Sequence, residues 1–83
     1  MMTKEKILDV IRSNMVEIVD DLDIKNIDTT KSIRDYIADS LDVVELVSCS
    51  MRELKIRVPR SELADIATIN ELAEKLLLHT EVE

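Results

Sequence analysis

A chain of 83 residues that is 46% apolar has the material for one domain, taken here as residues 1–83, with a single modest core, and too little for a second core or an enclosed active site. Its formal net charge of −7 repels the phosphates of nucleic acid and of anionic membranes, so charged partners are expected to be basic. Glycine is absent and Pro59 is the only proline, which disfavours the hairpin turns of a β protein and favours helices joined by irregular loops.

The first predicted helix starts after Thr3, a capping residue. Its apolar positions Ile7, Ile11, Met15, Ile18 and Leu22, with Leu8 alongside, follow the rhythm of one helical face. Asp20 and Asp21 would sit badly at its negative end, so the helix is expected to stop near Val19. Residues 20–39 then lose any sustained period. A loop this long needs anchors, and Ile24, Ile27, Ile33, Tyr36 and Ile37 are the candidates. Its acids Asp20, Asp21, Asp23 and Asp28 do not make a calcium loop of the EF-hand type, which needs a central glycine and a closing glutamate.

At Asp39-Ser40-Leu41-Asp42 the chain passes from loop to helix. The first turn of a helix carries unpartnered N–H groups and the positive end of the macrodipole, so Ser40 can cap the helix, and a phosphate esterified to it would meet the same N–H groups. Asp39 and Asp42, spaced three apart, suit that end as a capping-box-like pair. By themselves these residues read first as an ordinary N-cap, and capping alone explains them. At 100° per residue, Val43, Val44, Leu46, Val47, Ser50, Met51 and Leu54 form the inward arc of the second helix, with Val44 at its border. Asp42, Glu45, Ser48, Cys49, Arg52 and Glu53 form the outward arc, and Leu41 falls among them.

Residues 55–60 read as an extended connector ending at Pro59, with Arg57 and Arg60 making it locally basic. Ser61 is expected to open a brief third helix ending near Ile66. Thr68 and Glu71 form a capping box for a last helix that buries Ile69, Leu72, Ala73, Leu76 and Leu77, with His79 complementing the dipole in its last turn. The expected fold is therefore all-α: a small four-helix bundle of three longer helices and one short third helix, with a long loop between the first two.

Catalytic chemistry fails on inventory. Nothing beside Ser40 resembles a nucleophile elbow, and His79 is the only histidine, so neither catalytic nor metal-binding residues are assigned. Phosphate-cradling loops need glycine. The single cysteine, Cys49, excludes an internal disulfide and fits a reducing compartment. With no signal peptide and no apolar run long enough to span a bilayer, a cytoplasmic protein that does not engage membranes is expected.

The string Asp39-Ser40-Leu41-Asp42-Val43-Val44-Glu45-Leu46 resembles the modification site of acyl carrier proteins. The resemblance extends from Asp28 through Ser32-Ile33-Arg34-Asp35 to Ile56, Val58-Pro59, Ile66 and Thr68-Ile69. It implies that Ser40 receives 4'-phosphopantetheine from a phosphopantetheinyl transferase, and that the arm's thiol holds acyl groups as thioesters. It further implies that Asp39, Leu41, Asp42, Val44 and Glu45 meet basic docking patches on the transferase and on acyl-transferring and chain-elongating enzymes. Asp39 would also assist the magnesium-dependent transfer. Where the family usually has a glycine just before Ala-Asp-Ser-Leu, this chain has Ile37, so the loop is not expected to turn left-handed there. Arg52 and Ser48 depart from a more acidic second helix.

Two functions from different classes follow. One is a monomeric acyl carrier of fatty-acid or polyketide biosynthesis. The stretch from Leu54 to Ala64, with Ile69 to Ala73, somewhat resembles discrete polyketide carriers, whereas Asp39 to Leu46 resembles fatty-acid carriers, and the lean is to a specialised stand-alone carrier. The other is an unmodified helical interaction module that merely caps a helix with Asp39-Ser40.

Overall fold

In the computed structural model, which describes residues 3–81, four helices follow one another: α1 (Lys4–Ile18), α2 (Ser40–Leu54), α3 (Arg60–Leu63) and α4 (Ile69–Glu81). Two single 3₁₀ turns, Ile24–Asn26 and Ile33–Asp35, punctuate the long α1–α2 loop. There is no strand among the described residues, and the expected all-α bundle with one short third helix is what the chain forms. No helix among them is long and apolar enough to cross a membrane.

The sequence dictates α1 directly. Thr3 Oγ1 accepts from the Lys6 N–H at 3.3 Å, the helix ends at Ile18 with Val19 as its C-cap, and Ile7, Leu8, Ile11 and Met15 are buried. Ile18 and Leu22 complete the row only partly, being half-buried at the edge of the core. α1 is the axis of the bundle, for both α2 and α4 pack on it, while α3 leans on α4. From α4 come Ile69, Leu72, Ala73 and Leu76, from α2 Leu46, and from the connector Val58. Each fully buried aliphatic side chain of this kind stabilises the fold by about 1.5–3 kcal/mol.

α1 and α2 also share a polar contact. Asn14 Nδ2 donates to the Val10 carbonyl at 3.0 Å and reaches the fully buried Ser50 hydroxyl at 3.5 Å, so neither polar group is buried without a partner.

The long loop is held at both its side chains and its backbone. Ile27, Ile33 and Ile37 are buried and Tyr36 is half-buried, with its hydroxyl accepting from the Asp28 N–H at 2.7 Å. Ile24 is 42% exposed and anchors nothing, a correction to the expected set; its turn is instead capped by Asp23, which accepts from the Lys25 N–H. The backbone carries the rest. Ile33 N–H donates to the Ala67 carbonyl, and Ile69 and Asn70 N–H donate to the Lys31 and Thr29 carbonyls. These bonds, around an antiparallel bridge between Ser32 and Thr68, tie the loop to the start of α4. Ile37 sits where a glycine was absent; it is buried, and the only left-handed residue among those described is Lys55.

Lys55 ends α2. Its N–H reaches the Arg52 carbonyl, the Ile56 N–H bonds the Met51 carbonyl at 3.0 Å, and Lys55 itself lies at φ 60°, ψ 42°. This is the Schellman arrangement that glycine usually closes. α3 starts one residue earlier than expected, at Arg60, with Pro59 in the cap position and no side-chain cap, and it ends at Leu63 rather than near Ile66. It is tied to α4 by His79, whose Nε2 lies 3.1 Å from Glu62 Oε1, with Lys75 Nζ at 3.8 Å. His79 therefore joins two helices as well as facing a helix end. The Thr68–Glu71 box forms as expected. Glu71 N–H donates to Thr68 Oγ1 at 3.1 Å, and Glu71 Oε1 accepts from the N–H groups of Thr68 and Ala67, both at 2.9 Å.

Two outcomes follow. Lys55→Gly removes a Cβ from a left-handed position and should stabilise the protein by roughly 0.5–1 kcal/mol, whereas Lys55→Ala, which keeps the Cβ, should not; thermal melts of both variants check this. The hydrogen bonds from Thr68 and then Ala67 hold the Glu71 carboxyl below its ordinary value of 4.5, and those from Thr30 hold Asp28 below 3.8. Folded values below unfolded ones mean stability that is complete above the ordinary values and lost as pH falls through the folded ones. The Tm deficit of Glu71→Gln relative to the parent should accordingly be largest near pH 7 and shrink below pH 4.5, as melts across that range will show.

Candidate functional site

The site is built where the anchored loop delivers the chain into α2. Asp39, in extended backbone at φ −80°, ψ 125°, is the N-cap: its Oδ1 accepts from the Leu41 N–H at 2.8 Å. Ser40 is thereby released from capping. It is the first residue of the helix, it is exposed, and its hydroxyl is left available at the positive end of the dipole. Asp42 does not close a capping box with Asp39. It is half-buried on the first turn, four residues before the fully buried Leu46, and its contribution to the cap is the charge of an acid near a helix start.

Of the residues expected to meet partners, the structure brings three onto one face. Leu41 is 78% exposed and Val44 50% exposed, and with Glu45, Ser48, Cys49 and Arg52 they line a shallow groove running down α2 from Leu41. The spacing of these positions, three, four, seven, eight and eleven residues after Leu41, is that of a single helical face. Val44, half exposed, lines this face from the border between it and the packed side, where the helical projection puts it. Little of α2 is covered: only Leu46 and Ser50 are buried, with Val43, Val47, Met51 and Leu54 half-buried around them. Asp39 and Asp42 stand apart from the groove, one capping the helix and the other half-buried on its first turn. Arg52, unexpected in an acidic helix, lies in the last turn of α2, where a cation complements the dipole.

One side chain at the site was given no role from sequence. Arg34 Nη2 donates to Ser40 Oγ at 3.2 Å. Arg34 is carried on the 3₁₀ turn Ile33–Asp35, fixed by Ser32 Oγ accepting from the Arg34 N–H at 3.2 Å and Asp35 Oδ2 accepting from the Ser32 N–H at 3.2 Å. A signal for this was present, since Ser32-Ile33-Arg34-Asp35 has the spacing of a capping box before an apolar residue. It predicts a fixed turn, although not what Arg34 touches.

The surroundings of Ser40 suit a phosphoester. The oxygen faces solvent, the first turn of α2 supplies a positive field, and a guanidinium already lies within hydrogen-bonding distance.

Comparison with known proteins agrees with this geometry. The family described as phosphopantetheine attachment site matches residues 9–76 of the chain. The polyketide biosynthesis acyl-carrier-protein AcpK of Bacillus subtilis (strain 168) is 32% identical over 75 residues, covering 90% of this chain and 92% of that one. Among solved structures, the chain is similar to one in the crystal structure of the curacin biosynthetic pathway HMG synthase in complex with acetyl donor-ACP. The TM-score is 0.81 and the identity 31%, with 96% of this chain and all of that chain covered. A four-helix fold, an exposed hydroxyl at the start of α2 and a family match over most of the length converge: this chain belongs to the phosphopantetheine attachment family and is an acyl carrier protein, a non-catalytic carrier with a covalent 4'-phosphopantetheine arm that works with biosynthetic enzymes.

Proposed function

We propose that Ser40 is the residue that carries the arm, and that residues 1–83 act as one monomeric carrier domain in polyketide assembly, presenting thioester-bound acyl groups to enzymes in the cytoplasm. The observation that carries this reading is the division of labour at the start of α2, where Asp39 takes over the capping of the helix and leaves the Ser40 hydroxyl exposed. The similarity to a polyketide carrier and to a chain solved in a complex of an HMG synthase with an acetyl donor-ACP supports the pathway class. An enzyme that consumes a short acyl group from such a carrier fits that class.

Docking is assigned to the exposed face beside Ser40. Leu41 and Val44 supply apolar contact, and Glu45 supplies charge for a basic patch, with Asp39 and Asp42 adding to the negative field at the helix start. Arg52 at the far end of the groove gives the face a polarity, acidic towards Ser40 and basic away from it, which suits a partner whose own charges run the opposite way.

Intact mass after coexpression with a broad-specificity phosphopantetheinyl transferase tests the attachment site. The parent should gain one phosphopantetheinyl group and Ser40→Ala none; an unmodified parent would instead favour a plain helical interaction module. The docking face is tested with the same transferase. Leu41→Ala and Glu45→Lys should each lower kcat/KM for modification about fivefold or more, the scale of an interface residue worth ~1 kcal/mol. Both positions are exposed, so Tm should stay within the small range typical of surface changes.

A further inference from the structure

We infer that Arg34 is a positioning residue for the arm: its guanidinium grips the phosphodiester formed on Ser40 and fixes the root of the arm against the α1–α2 loop. The inference rests on Ser40 being the attachment site, and three observations lead to it.

Arg34 Nη2 already donates to Ser40 Oγ at 3.2 Å across six residues of irregular chain, so the two groups are adjacent before any modification. The guanidinium is also uncommitted. In a chain of net charge −7, no carboxylate among the described residues lies within ion-pair distance of Arg34, whereas Lys4, Arg12 and Lys75 each have one. An arginine that spends a donor on a neutral hydroxyl, amid so many acids, has its charge free for an anion brought to that hydroxyl.

The third observation is rigidity. Ile33 before Arg34 is buried, Asp35 after it closes the turn on Ser32, and Ile37 is buried two residues further on. Backbone bonds from Ile33 to Ala67 and from Ile69 to Lys31 fasten that turn to the start of α4. The flexible part of the grip is thus the Arg34 side chain alone.

Esterification turns Ser40 Oγ into the bridging oxygen of a phosphodiester that carries one negative charge and two non-bridging oxygens. Arginine meets this chemistry with five N–H donors in a planar fork, which pairs with two phosphate oxygens at once, and a lysine cannot copy that geometry. The first-turn N–H groups of α2 and its dipole act on the same anion from the helix side. Held between the turn and the helix, the arm would leave the surface in one preferred direction.

The test compares apo and holo forms of the parent, Arg34→Gln and Arg34→Lys, each confirmed by intact mass. The readouts are the holo-minus-apo Tm difference and the ³¹P chemical shift of the phosphodiester. A role in the loop alone would change apo and holo stability equally and leave the difference untouched. The expected result is a parent Tm rise of roughly 1–5 °C on modification, the scale of an exposed charged pair in a domain of this size, absent in Arg34→Gln and reduced in Arg34→Lys. The parent ³¹P signal should differ from that of Arg34→Gln and move towards it as NaCl is raised. Equal holo-minus-apo differences and coincident, salt-insensitive ³¹P signals in correctly modified proteins would overturn the grip while leaving Ser40 as the attachment site. A parent that acquires no arm at Ser40 would overturn both.

Discussion

Everything at the start of α2 depends on the loop before it being held still, and what holds it is a short seam of backbone hydrogen bonds to the entrance of α4. Bonds joining Ile33 to Ala67, Ile69 to Lys31 and Asn70 to Thr29 stitch two irregular segments that are far apart in sequence. Ile33 and Ile37 go into the core on either side of the residues that reach the site. In a chain without glycine, the loop cannot be shaped by residues that turn freely in either hand, so it is shaped by where its isoleucines can be buried. The hydroxyl of Ser40 inherits its position from that arrangement.

α2 serves two demands that pull against each other. It must be attached firmly enough to form, and it must leave the face that the proposed docking uses uncovered. The result is a helix with one fully buried apolar residue, Leu46, one buried serine, and a border of half-buried valines, methionine and leucine. α1 and α4 carry most of the burial that holds the molecule together. A helix packed chiefly on α1 is free to show a groove of mixed apolar and polar lining on its other side. The acids at its start and Arg52 at its end stabilise it through the dipole, independently of packing.

What could be read from the amino acids alone divides along physical lines. Helical period and side-chain caps are written in residue types, so α1, α2, α4 and the Thr68–Glu71 box were legible, and Asp39-Ser40 stood out as a helix entrance. The seam between residues 29–33 and 67–70 was not, because bonds from backbone to backbone leave no residue signature. α3 has no side-chain cap to mark its start, and its boundaries slipped by one residue at the beginning and about three at the end. Ile24 looked like an anchor by chemistry alone, yet the capped turn that carries it faces outward. Val44 falls near the divide between faces by angular projection, and its half exposure agrees. Arg34 stands in the sequence only as part of a family pattern, and its approach to Ser40 is a product of the loop's route.

The way the helices are fastened also determines how a force travels through the protein. α2 and α4 are each mounted on α1 and scarcely on each other. A load applied to the exposed side of α2 therefore reaches α4 through the spine that α1 provides, along the stitched loop, or through the connector and α3, which Glu62 and His79 fasten to α4. The fold is thus built like a pair of leaves on one hinge post, joined by a strap on either side, so the start of α2 stays in register with the rest of the molecule when one leaf is loaded.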